Sequence, residues 1–227
     1  MRVRLLAVWT LVLVTAMPAV AQKSFGGLSD LQLGSGLKEA LRVGTENTVK
    51  LTGRPDGFFR NQAIKILLPK QLQFLDTSLR AVGLGGQVDE LVLGMNRAAE
   101  RAAPRAGQIF VDAIVSMTFD DVRKIMGGGD TAATQFFKAK TGDRLAGAFR
   151  PVVEQAMQEV GVSRLYNDLT GRYQSIPFAK SLTFDLNGYV VGKALDGLFR
   201  VLGDEESKIS TNPAARVTDL LQQVFKR

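Results

Sequence analysis

The chain has no cysteine and no histidine, and only one tryptophan among its 227 residues. Without cysteine there is no disulfide, no thiol nucleophile, no thiolate metal site and no iron–sulfur cluster. Without histidine, the Ser-His-Asp triad, an imidazole general base and histidine-rich zinc sites are excluded as well. An enzyme built from this sequence would have to use carboxylates, Lys, Tyr, Ser or Thr. A membrane-spanning run is also missing: the apolar stretch from Leu5 to Val14 falls short of the roughly 20 residues that cross a bilayer. The chain is therefore not expected to be an integral membrane protein.

What that stretch does resemble is the apolar part of a secretory signal. Arg2 and Arg4 precede it with no acidic residue, and Met17-Pro18-Ala19-Val20-Ala21 follow it, with Ala19 and Ala21 in the small-residue cleavage positions. Residues 1–21 are thus read as a cleavable signal peptide. Residues 22–227 are read as one mainly helical domain, periplasmic or secreted after processing. No cysteine stands at the cleavage point to accept a lipid. Loss of Arg2 and Arg4 lowers the formal charge of +7 by two. The remaining basic residues are scattered, not gathered into the stripe expected of a nucleic-acid binder. An anionic envelope surface is the more natural electrostatic partner.

Apolar residues recur at the helical period in several windows. Leu72, Leu75, Leu79 and Val82 form one stripe, and Val88, Leu91, Val92, Met95 and Ala99 another. Ile109 to Met117, Leu145 to Val160, Leu195 to Leu202 and Val217 to Phe225 supply four more. Pro69, Pro104 and Pro213 suit first turns of helices. Gly83-Leu84-Gly85-Gly86 and Gly127-Gly128-Gly129 offer left-handed helix ends. Thr118 with Asp121, and Asp130 or Thr131, read as caps. The fold class that follows is mainly α, a compact array of about eight short helices. Two segments alternate like strands, Ile64 to Leu68 and Leu182 to Leu186, and leave room for one small two-stranded ribbon. Between Gly53 and Asn61 the chain is rich in turn formers and predicts an ordered surface loop.

Several strings carry a family resemblance. They are Gly36-Leu37-Lys38-Glu39-Ala40-Leu41, Arg54-Pro55-Asp56-Gly57-Phe58, Met95-Asn96-Arg97-Ala98-Ala99-Glu100, Ala132-Ala133-Thr134-Gln135-Phe136-Phe137, Lys193 to Phe199, and Asn212-Pro213-Ala214-Ala215-Arg216. In order and spacing the chain resembles the exported bacterial family catalogued as domain of unknown function 4197. The resemblance implies a helical envelope protein and carries over no catalytic residue.

Three clusters invite a chemical reading. Glu205-Glu206-Ser207 could serve carboxylate-based glycan cleavage, yet an acidic turn after a helix ending near Gly203 explains it more simply. Asp120-Asp121 could attract a divalent ion, but carboxylates at a helix start cap it, so no metal site and no cofactor is predicted. Gly127-Gly128-Gly129 lacks the Lys-Ser or Lys-Thr of a phosphate-binding loop. Lys193, Asp196 and Arg200 share the side of their helix opposite Leu195, Leu198 and Leu202, as a solvent-facing ion-pair row does. Asn96 falls roughly 80° from the centre of its apolar stripe, at the edge of the buried face, with Glu100 one turn on. Those two residues either satisfy buried backbone groups or orient a ligand in a cleft.

The functional expectation is a non-catalytic envelope module that binds a partner protein, a lipid or a small apolar ligand. A carboxylate-dependent peptidoglycan hydrolase or transglycosylase is the alternative. Processing has a direct probe, because Trp9 is the single tryptophan and lies inside the proposed leader. Protein recovered from the envelope should begin at Gln22 and show no tryptophan emission; an intact Met1 terminus would refute cleavage.

Overall fold

A computed structural model describes residues 30–175 and 184–212. Among them are eight α-helices: α1 (Asp30–Gly53), α2 (Gln73–Ala81), α3 (Gly85–Ala102), α4 (Ala106–Val115), α5 (Phe119–Met126), α6 (Ala132–Glu159), α7 (Val162–Gln174) and α8 (Leu186–Thr211). Short 3₁₀ turns at Lys70–Leu72 and Ala103–Arg105 lead into α2 and α4. The mainly helical expectation holds. No described helix is long and apolar enough to cross a membrane.

The stripes read from sequence are the buried faces. Leu75 and Leu79 of α2, Val88, Leu91 and Met95 of α3, and Leu145, Phe149 and Val153 of α6 join one apolar cluster to which every helix contributes. Phe58, Phe110, Phe137 and Phe149 are wholly buried. Phe110 meets Phe137 edge-on at 5.3 Å and Phe199 at 6.3 Å between ring centres, the arrangement that ring quadrupoles favour. These phenylalanines fill the core.

Helices α1 and α8 run antiparallel along one side. Asn47 of α1 reaches Glu205 of α8, while Gly44, one turn earlier, faces Ile209, one turn later. Helical periodicity alone misses α1, and the reason is chemical. Its buried face carries Thr45, Thr48 and Thr52. Each hydroxyl donates to a carbonyl four residues back, at 2.8, 2.7 and 2.7 Å, so polar side chains sit in the core already satisfied.

Four local expectations change. No strand occurs among the described residues, so the ribbon is absent there. Ile64 and Ile66 are buried and Leu67 is exposed, as alternation demands, but the segment stays extended without a partner strand. Of the second segment, residues 182 and 183 lie outside the described residues. Its Asp185 caps α8 by accepting the Gly188 N–H, which makes Leu186 helical.

The second change concerns glycine. Left-handed glycines among the described residues are Gly83 and Gly161, not the 127–129 cluster. Gly128 is constrained by space instead, since a Cβ there would stand 2.5 Å from that of Ala132. The third concerns the start of α6, where neither Asp130 nor Thr131 provides a side-chain cap. The fourth is that α8 passes Gly203 without a break, so Asp204, Glu205 and Glu206, expected as a solvated acidic turn, are helical. The stripe from Val217 to Phe225 lies outside the described residues.

At α5 the predicted cap is present in full. Thr118 Oγ1 accepts the Asp121 N–H, and Asp121 Oδ2 accepts the Thr118 N–H at 3.0 Å. That backbone bond, followed by the one from the Thr118 hydroxyl, holds the Asp121 carboxyl below its ordinary value. A lowered native value means stability that is present above the unfolded-state value and lost as pH falls through the native one. Thr118→Ala should cost about 1 kcal/mol in urea unfolding at neutral pH. Between pH 6 and 2, the wild type should lose more stability than Asp121→Asn; parallel curves would refute the cap's ionic contribution.

Candidate functional site

The loop that leaves α1 folds under tight steric control. Asp56 adopts a left-handed backbone with φ 65°, a region that Asp tolerates better than most residues. Gly57 follows where any side chain would collide, since a Cβ would lie 2.4 Å from Leu51 O and 2.8 Å from Thr52 O. The turn therefore depends on Asp-Gly at this spot. It delivers Phe58 to the core and leaves the N–H groups of Phe58 and Phe59 pointing at α3.

Helix α3 receives them with a buried carboxylate. Glu100 Oε1 accepts the N–H of Phe58 at 3.0 Å and of Phe59 at 3.1 Å. Its Oε2 takes a 2.7 Å bond from Arg97, whose other nitrogen donates to Asp56 Oδ1 at 2.7 Å. Those bonds, Glu100's first and then Asp56's, push the Arg97 guanidinium above its usual value. Asp56 Oδ2 also meets Arg60 at 3.0 Å. Lys65 sits 4.2 Å above the Phe59 ring, within cation–π range.

One turn earlier, Asn96 is wholly buried. Its Oδ1 accepts the Ile66 N–H at 2.8 Å, and its Nδ2 donates to Ile66 O at 2.8 Å and Val92 O at 2.7 Å. The amide thus gives Ile66 the pair of bonds that a neighbouring strand would give. This explains why an alternating segment needs no ribbon partner. Glu100 fastens the middle of the loop 54–66 and Asn96 its far end to one face of α3. Sequence reading placed Asn96 at the edge of the buried face; the fold buries it completely by laying the loop over that edge.

On its other side the loop meets α8. A Cβ on Gly197 would come within 2.6 Å of the Phe58 ring, so only glycine lets the two elements close. Three of the family-like strings, around Asp56-Gly57-Phe58, Asn96-Arg97 and Gly197, converge here.

Beyond that contact the loop and α8 diverge into a cleft of about 390 Å³. Arg54, Asp56, Gly57, Arg60, Asn61 and Gln62 form one wall. Val201, Asp204, Glu205 and Lys208 form the other, and Leu51 of α1 lies between.

Of Asp204, Glu205 and Glu206, the first two reach this cleft and Glu206 does not line it. Glu205 is buried and held by Asn47 at 3.0 Å and Lys208 at 2.5 Å. Glu206 turns to the start of α6, where its oxygens accept the N–H of Ala133 and of Thr134, both at 2.9 Å, and the Thr134 hydroxyl at 2.6 Å. A carboxylate there opposes the positive end of the helix dipole. No local sequence signal marked this cap, because it comes from some seventy residues away. Lys193 and Asp196 pair at 3.3 Å and Arg200 with Asp204 at 3.4 Å, on the exposed side of α8. Among the described residues, no group of three acidic side chains is arranged to hold a metal ion.

The family model described as "Protein of unknown function (DUF4197)" matches residues 27–226, so the chain belongs to that family. No curated protein and no solved structure matches it.

The two fastenings should separate in the laboratory. Asn96→Ala strips partners from Ile66 and should cost about 1–3 kcal/mol for each buried group left unpaired. It should speed amide exchange at Ile66 more than at Phe58. Glu100→Ala should do the reverse and cost about 3–5 kcal/mol, as breaking a buried ion pair does, whereas Glu100→Gln keeps one acceptor and should cost less. Equal exchange at both amides in both variants, followed by NMR, would show that the loop opens as one unit.

Proposed function

For this member of the family, we propose an exported envelope protein that acts by binding, without catalysis, and takes its ligand in the cleft between the loop 54–62 and the second half of α8. The cleft carries the reading. Its volume lies within the span of small-molecule sites, and several polar groups converge on it from two independent elements. The core phenylalanines pack against one another, so support falls on a polar ligand more than on an apolar one held between helices. Export rests on the sequence of the leader, and the family match begins only at residue 27, after that segment.

In this reading Asn96 and Glu100 act through the loop. They are positioning residues: Glu100 fixes the backbone at Phe58 and Phe59, and with it the wall that carries Asp56 and Arg60. The hydrolase alternative has one observation in its favour, since Asp56, Asp204 and Glu205 share the cleft. Each of these carboxylates is already engaged by a cation of the protein, so a substrate would have to displace an existing partner to reach it.

Incubation with purified peptidoglycan should release no soluble fragment, while a soluble envelope extract should perturb backbone amide signals in 54–62 and 201–208. Glu100→Gln should weaken that response at temperatures where the variant is fully folded. Fragment release abolished by Glu205→Gln would replace the binding reading with hydrolysis, and an extract that leaves the cleft signals unmoved would overturn it.

A further inference from the structure

Resting on that reading of the cleft, we propose that its ligand carries a single carboxylate seated on Arg54, borne on a small molecule rich in hydroxyl or amide groups. The charges of the cleft divide unevenly between spent and unspent. Asp56 is shared by Arg97 and Arg60, Glu205 is held by Lys208, and Asp204 by Arg200. Lys208 and Arg60 are committed by the same pairs. Among the described residues, Arg54 is the cleft cation with no ion-pair partner, and it is exposed at the mouth of the loop. The charge left unmet is therefore positive. Its guanidinium offers the planar fork that matches a carboxylate through two parallel bonds.

The surrounding acids set the ligand's charge. Asp56, Asp204 and Glu205 line the same space, each already paired with a cation, so one unmet positive charge remains, which a monoanionic carboxylate balances and a phosphate dianion overshoots. A cation is the poorer guest, because the acids are already neutralised and hold no metal-ligating cluster among the described residues.

The uncharged lining sets the rest of the ligand. Asn61 spends its Oδ1 on the Ala63 N–H at 3.1 Å, which leaves its Nδ2 for a guest, and Gln62 beside it is exposed. Such amides bond hydroxyl and acylamino groups. The cleft's 390 Å³ corresponds to roughly a dozen water volumes at about 30 Å³ each, the size of one acidic sugar or a dipeptide.

A pair of probes tests the carboxylate: N-acetylmuramic acid, which carries one on a lactyl ether, and N-acetylglucosamine, the same ring with a free hydroxyl there; the Arg54 variants then separate the carboxylate from the rest of the ether. Titrated into the full protein and followed by NMR, the acid should shift amides of 54–62 and 201–208 saturably, and the neutral sugar should bind at least about tenfold more weakly. Arg54→Gln, which breaks no side-chain hydrogen bond or ion pair among the described residues, should lower affinity for the acid about 10- to 100-fold and leave the neutral sugar unchanged. Arg54→Lys should restore only part of it, as a point charge lacks the fork. Equal binding of the two sugars, or indifference to Arg54→Gln, would overturn the carboxylate assignment while the cleft reading stands. Displacement of the acid by equimolar inorganic phosphate would reduce the site to a general anion contact and overturn it too. Silence of the cleft amides toward both sugars and the envelope extract would end both readings together.

Discussion

The buried carboxylate of Glu100 is the constraint from which the functional face of this protein is built. A charge withdrawn from water must be met by donors or it destabilises the fold by several kcal/mol. Here the donors are two consecutive backbone N–H groups and one guanidinium. Consecutive N–H groups can point at one oxygen only if the chain turns sharply, and the Asp56-Gly57 pair supplies that turn. The arrangement is reciprocal. Helix α3 gains partners for its carboxylate, and a loop that could not bury its own backbone alone gains an anchor.

Helix α8 distributes neighbouring side chains to different tasks because successive residues on a helix point about 100° apart. Gly197 admits Phe58, Glu205 turns to Asn47 of α1, and Glu206 turns to the open N–H groups of α6. One helix thereby contacts the loop, α1 and α6 through different side chains. The cleft is a consequence of this division. The loop is fastened to α3 by Glu100 and packs Phe58 on Gly197 of α8, and beyond that contact polar groups from both elements face the gap.

Function in such a cleft follows from which charges are already answered within the protein. Acids already bonded to lysine and arginine have partners that an incoming group would have to displace. An arginine left without a partner is the complement, a site where an incoming anion replaces water without breaking an existing pair. Chemistry at this site is thus decided by pairing, which sequence composition does not reveal.

Absences in the sequence determined the most by themselves: without cysteine and histidine whole classes of catalysis disappear, whatever the fold. The apolar stripes of α2, α3, α4, α6 and α8 were legible because burial of one face imposes a 3.6-residue period, and the Thr118–Asp121 cap because both partners lie within one turn. Helix α1 was hidden by threonines that satisfy themselves, and α7 by a face with few apolar residues. The sequence also offered Asn96 and Glu100 as residues of interest, yet not what they hold. Only the tertiary structure joined Asp56-Gly57-Phe58 to Asn96-Arg97 and Glu100, sent Glu206 to α6 and left Arg54 unpaired. A helix period is written in neighbours three and four residues apart, whereas a hydrogen bond between residues 41 or 73 positions apart depends on where the packed helices bring them.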